Sequence, residues 1–169
     1  MLSFSGSVVS KFVDARDQKA RTRALFESEI SKHMSEEGIA PPFLGMREED
    51  NSPFMGGGPW VVICTEKYQF TLREWVKETG ERLSEAQSKE IQDLMKWMHQ
   101  KHVYHGDLHA DNIVVNPGPV FRFIDWQHAL LLSEGHKLAG YAEMLDHETI
   151  ASKAMRHYLR LKRVRNPRW

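Results

Sequence analysis

The sequence predicts an α+β fold in which short strands and amphipathic helices share a small core, and three observations carry that prediction. Short runs rich in Val, Ile and Phe are bounded by Asn, Pro and Gly, as strands are. Two segments open with a Ser/Thr-x-x-Glu/Gln capping box ahead of apolar residues. A chain of 169 residues that is 41% hydrophobic can bury one core or two small lobes.

Taken in order, Ser7–Val13 alternates like a strand and carries Lys11 in its middle. A helix is predicted from about Asp14 to Glu36, with Phe26, Ile30 and Met34 four apart and Asp14 or Asp17 as its cap. Gly38 ends it, and Pro41-Pro42 prevents its resumption. Gly56-Gly57-Gly58, between Pro53 and Pro59, reads as a flexible loop between strands, and no helix follows to make it a phosphate cradle. Trp60–Glu66 is a continuous apolar run ending in an acid, a buried strand. Thr71 and Glu74 form the first capping box and Ser84 with Gln87 the second, the latter opening a helix whose buried stripe is Ile91, Leu94, Met95 and Met98. Asn116-Pro117-Gly118-Pro119 then separates Ile113–Val115 from Val120–Ile124 and predicts a hairpin. Ala129–Leu132 is apolar, and a last helix is expected from about Thr149 to Lys162.

Charge excludes little. Lys plus Arg equals Asp plus Glu at 23 each, so no global field points to nucleic acid or a membrane surface. From Lys153 to Arg168, however, there are seven Lys/Arg and no acid, a tail that would suit an acidic partner, RNA or a phosphorylated substrate. The single Cys64 fits a reducing compartment, no apolar run is long enough to span a bilayer, and no signal-peptide pattern opens the chain, so cytosol or nucleus is the expected location. His99, His102, His105 and His109 raise the question of zinc. The pattern disfavours it, because residues three apart diverge once a helix stops and no Cys or acid completes the set at familiar spacing.

The chemistry concentrates in His105-Gly106-Asp107-Leu108-His109-Ala110-Asp111-Asn112 and, beyond the hairpin, Ile124-Asp125-Trp126. One Asp can accept the proton of an attacking hydroxyl, while an Asn five residues on and a second Asp can share hard Mg²⁺ ions that neutralise phosphates. The hairpin would fold Asp125 back towards Asn112. That is the outline of a phosphoryl-transfer site.

These residues resemble the protein-kinase-like superfamily, in particular its small members such as the aminoglycoside and choline phosphotransferases and compact atypical kinases. His-Gly-Asp-Leu-His-Ala-Asp-Asn keeps the spacing of the kinase catalytic loop, and Asp125-Trp126-Gln127 occupies the place of Asp-Phe-Gly. The resemblance implies a two-lobed fold. A shortened N-lobe over residues 1–66, a small antiparallel sheet plus helix, would be followed by a trimmed, mainly helical C-lobe over 67–169 that includes the basic tail. It also implies ATP and Mg²⁺ as cofactors and a hydroxyl-bearing acceptor, with Asp107 as catalytic base, Asn112 and Asp125 as metal ligands, and His105 supporting the loop through backbone. Lys11 would hold the nucleotide phosphates. A helix acid must pair with it, and the spacing favours Glu29 over Glu27, although the helical wheel accepts both. Glu66, Lys67 and Tyr68 would present backbone groups to adenine, with Thr65 at the rear of the pocket.

Departures refine the resemblance. Gly106 replaces the arginine that reads a phosphorylated activation loop, and His109 and Trp126 point towards small-molecule kinases. Ten residues precede Lys11, with Gly6 their sole glycine, too few for the two strands and turn of a glycine-rich hairpin. The competing expectation is therefore a catalytically impaired kinase-like module that binds nucleotide or a partner without turnover.

Overall fold

The computed structural model describes residues 2–5, 7–52, 56–80 and 82–150 and is α+β. Its first part is a four-stranded antiparallel sheet of β1 (Leu2–Ser5), β2 (Val8–Asp14), β3 (Phe43–Ser52) and β4 (Gly56–Glu66), in the order β1-β2-β4-β3. Helix α1 (Gln18–Glu36) connects β2 to β3. Its N-cap is Asp17, whose carboxylate accepts from the backbone N–H groups of Lys19 and Ala20, while Asp14 belongs to β2. Gly38, at φ 70°, follows the helix C-terminus in the left-handed conformation that a side chain resists.

Of two expectations about the N-terminal part, one holds and one changes. The residues ahead of Lys11, expected to be too few for two strands, supply one, and Leu2 pairs with Lys11 itself. Gly56 and Gly57 are not a loop but the start of β4, because Gly56 pairs with Ser52 and Gly57 with Asn51, extending the β3–β4 hairpin.

Beyond β4, the short β5 (Phe70–Thr71) leads into α2 (Leu72–Thr79), and α3 (Glu85–Gln100) follows; both helices open with the reciprocal capping boxes expected at Thr71/Glu74 and Ser84/Gln87. After β6 (Val103–Tyr104), β7 (Ile113–Asn116) and β8 (Val120–Phe123) form the expected hairpin. Ile113 lies opposite Phe123, and β5 extends the pair into a three-stranded sheet. A single 3-10 turn spans Trp126–His128, β9 (Leu130–Leu131) pairs with β6, and α4 runs from Ala139 to Ile150. The expected helix from Thr149 to Lys162 begins instead at Ala139 among the described residues. The rest of that segment and the basic tail lie outside them.

The main core joins the two parts. Ile30, Met34 and Ile39 from α1 and its exit meet Leu72, Ile91, Met95 and Met98 of α2 and α3 and Ile113, Phe121, Phe123 and Trp126 around the hairpin. A backbone bond from Phe123 N–H to the Ile39 carbonyl, 2.8 Å, fastens β8 to the end of α1. Phe121 is fully buried at the centre of this cluster. Its truncation in Phe121→Ala is expected to cost about 3–5 kcal/mol, read as a lower urea midpoint at unchanged m-value.

Candidate active site

Lys11 projects from β2 and its ammonium lies between two carboxylates from distant parts of the chain, 2.7 Å from Glu27 Oε1 and 2.6 Å from Asp125 Oδ1. The helix partner is therefore Glu27 and not Glu29. Glu27 is on the buried face of α1, its side chain 7% exposed, whereas Glu29, two positions on, is turned by the helical pitch into solvent. The sequence offered a weak signal for this, since Glu27 lies three residues from Ile30 and so shares its face.

Burial opposes the charge of Lys11, but Glu27 and Asp125 outweigh it and hold the ammonium above the ordinary lysine range. Burial also pushes the Glu27 carboxyl up, against the pull of Lys11 and of a hydrogen bond from the Trp126 backbone N–H. Both shifts are consistent with one partly buried ion pair, since desolvation is unfavourable to each charge and the pairing offsets it more fully for the cation, which has two partners.

Asp125 adopts φ 66°, ψ 67°, a left-handed conformation unusual for a residue with a side chain. It aims the carboxylate at Lys11 while the chain turns into the 3-10 segment that buries Trp126. Strain of this kind persists where the surroundings over-determine it. Here the ion pair, the packing of Trp126 and a bond from Ile124 N–H to the Asn112 carbonyl, 3.0 Å, do so.

Asn112 is buried, and its Nδ2 donates to the Asp107 carbonyl at 2.8 Å, with Asp107 Oδ2 at 3.4 Å. That donor role fixes the amide, leaving Oδ1 as an acceptor. Asp107 is 41% exposed and faces His109 Nε2 at 3.5 Å. His105, by contrast, is fully buried and has no direct access to substrate. Its Nε2 lies 2.9 Å from the Ile124 carbonyl and its Nδ1 accepts the Asp107 N–H at 3.3 Å, an arrangement that requires the Nε2–H tautomer. Burial holds its pKa below the usual histidine value, so it is a neutral positioning residue tying the loop to the hairpin.

Two features of the loop escaped sequence reasoning. Asp146 of α4 is fully buried and accepts from the backbone N–H groups of both His105 (2.9 Å) and Gly106 (2.8 Å), bracing the loop from beneath. Its signal was faint: an acid four residues from Ala142, on what becomes the buried face of a helix with little amphipathic contrast. Gly106 is required by space as well as by its φ of 77°, because a Cβ there would sit 2.6 Å from the His128 carbonyl. The absence of arginine at this position thus has a packing cause.

Lys11, Glu27, Asn112 and Asp125 line one cleft of about 710 Å³, together with Thr65, Glu66, Lys67 and Tyr68 at the end of β4. Within that last segment the Glu66 N–H bonds the Pro42 carbonyl and the Lys67 N–H bonds the Ser7 carbonyl, so those two donors are already engaged. A sheet with a helix-paired lysine, joined by a cleft to a loop-and-hairpin bearing Asn112 and Asp125, resembles the arrangement of kinase-like phosphotransferases. Comparison by sequence agrees: residues 65–132, the stretch holding the loop and hairpin, match the phosphotransferase enzyme family, the aminoglycoside and choline kinase-like branch of the protein-kinase-like superfamily. The match covers under half of the chain. No curated protein matches it. No helix among the described residues is long and apolar enough to cross a membrane.

Two outcomes test this geometry. Gly106→Ala is expected to lower the melting temperature, because the new methyl must displace the His128 backbone. For His105 the sign follows from a depressed folded pKa: the unfolded chain takes up a proton near pH 6.5 that the folded protein refuses, so stability is complete above that value and falls below it. Urea unfolding between pH 7.5 and 5.5 should therefore show a loss of up to about 1.4 kcal/mol per pH unit attributable to this group, and His105→Asn should flatten the slope.

Proposed function

We propose that this chain is an ATP- and Mg²⁺-dependent phosphotransferase that moves the γ-phosphoryl group to a hydroxyl acceptor. The observation that carries the reading is the Lys11 ammonium bridging Glu27 and Asp125 on the same cleft as Asn112. One cation faces two carboxylates, so the cluster retains a formal excess of one negative charge that a divalent ion would offset. The oxygens that line the cleft suit a hard ion: Asn112 Oδ1, left as an acceptor by the amide's donor bonds, and the Asp125 oxygen that Lys11 does not engage. The residues present therefore fit Mg²⁺, which when bound would neutralise charge on the phosphate oxygens.

The chain's own groups would act as follows. Residues 1–66 and 67–169 would be the two lobes between which the nucleotide lies. Of the segment Glu66–Tyr68, the Glu66 carbonyl and the Tyr68 N–H would meet the adenine edge, since the other two N–H groups are engaged. Lys11, fixed by Glu27, would hold the nucleotide phosphates. Asp107, exposed and held by the Asn112 amide, would orient the acceptor hydroxyl and take its proton as the oxygen attacks. Positioning and charge neutralisation would supply most of the rate gain.

The assay is production of ADP and phosphorylated acceptor over a panel of alcohols. Asp107→Asn is expected to lower kcat by about 10²–10⁴-fold while nucleotide still raises the melting temperature, and Asp125→Asn to weaken Mg²⁺-dependent nucleotide binding. Nucleotide binding without turnover anywhere in the panel would favour the non-catalytic binding module.

A further inference from the structure

The buried end of α3 carries a group that the cleft does not use. The His99 side chain is 7% exposed, and its Nδ1 has no hydrogen-bond partner. Buried polar atoms left in that state are rare enough to require a reason. The other ring nitrogen, Nε2, lies 3.0 Å from Asp146 Oδ2. A carboxylate only accepts, so Nε2 carries the proton and Nδ1 presents a lone pair. That lone pair is on the side of α4, where Glu143 Oε1 is 4.0 Å away and is in turn 3.6 Å from His147 Nε2. Glu143 and His147 are one helical turn apart and share a face, and the three atoms lie within 4.8 Å of one another.

Two imidazole nitrogens and a carboxylate oxygen, with the far N–H of one imidazole on a buried carboxylate, are the donors and the supporting shell of a zinc-type centre. Around a tetrahedral ion with bonds of about 2.0–2.1 Å the donors stand roughly 3.3 Å apart. The gaps of 3.6 and 4.0 Å exceed that by about 0.3 and 0.7 Å, no pair is more than 4.8 Å apart, and Glu143 and His147, both about half exposed, are the side chains that would shift to close them. The zinc reading of His99, His102, His105 and His109 lacked an acid to complete the set. The acid and a second histidine come from α4, more than forty residues later.

We propose that His99, Glu143 and His147 bind a divalent transition ion of the zinc class, with water in the fourth position. The imidazole donors select against Mg²⁺ and Ca²⁺. The ion would clamp α4 to α3, and because Asp146 touches both His99 and the backbone of His105 and Gly106, it would also steady the underside of the loop that carries Asp107.

The experiment is titration of the chelator-treated full chain with Co²⁺ as a spectroscopic probe, followed by Zn²⁺ competition and thermal melts. One equivalent of Co²⁺ should give visible absorption of tetrahedral intensity that Zn²⁺ displaces, and Zn²⁺ but not equimolar Mg²⁺ should raise the melting temperature. His147→Ala and Glu143→Gln alter half-exposed side chains, so the fold should survive, and each should abolish the band and weaken Zn²⁺ at least tenfold, about 1.4 kcal/mol. Asp125→Asn should keep both, which separates this site from the nucleotide cleft. Absence of band and thermal shift in the unaltered protein, or full affinity in both α4 variants, overturns the proposal; the latter would mean adventitious binding to other surface histidines.

Discussion

The ion pair between Lys11 and its two carboxylates is the constraint on which the rest of the cleft depends. One ammonium ties β2 to α1 through Glu27 and to the segment after the hairpin through Asp125. A half-buried lysine and a nearly buried glutamate would each be unfavourable alone. Together, with Asp125 closing the third side, they fix the position of the sheet relative to the hairpin and hold Asp125 in a backbone conformation it would not otherwise keep.

Beneath this cluster a second set of contacts decides the shape of the loop. Asp146 takes two successive backbone N–H groups, His105 ties the loop to Ile124 with one nitrogen and to Asp107 with the other, and Asn112 donates back across the turn to Asp107. Gly106 sits where only a hydrogen fits against the His128 carbonyl. Asp107 is thus presented to solvent by a loop whose own polar atoms are satisfied internally. That separation, rigid backbone below and an available carboxylate above, is what a group meant to meet a substrate requires.

Much of this was legible in the sequence where the signal was local. The capping boxes at Thr71 and Ser84 and the turn at Asn116–Pro119 each depend on neighbours a few residues apart, and each forms as read. What was missed depends on pairing at a distance. Glu27 and Glu29 are equivalent until α1 has a buried side. The glycines at 56 and 57 read as a loop until Ser52 and Asn51 are there to pair with them. Asp146 and His147 lie in a helix whose weak periodicity hid its buried face, and their neighbour His99 is remote in sequence, so neither the loop brace nor the cluster of His99, Glu143 and His147 had a spacing to betray it.

The most direct measurement of the central claim is a crystal structure of the protein with Mg²⁺ and a non-hydrolysable ATP analogue. A metal ion is expected about 2.1 Å from Asn112 Oδ1 and an Asp125 oxygen, with Lys11 Nζ still on Glu27 but moved from Asp125 to a phosphate oxygen. A nucleotide bound outside this cleft, or a metal that ignores Asn112 and Asp125 while Lys11 keeps both of its carboxylates, would contradict it.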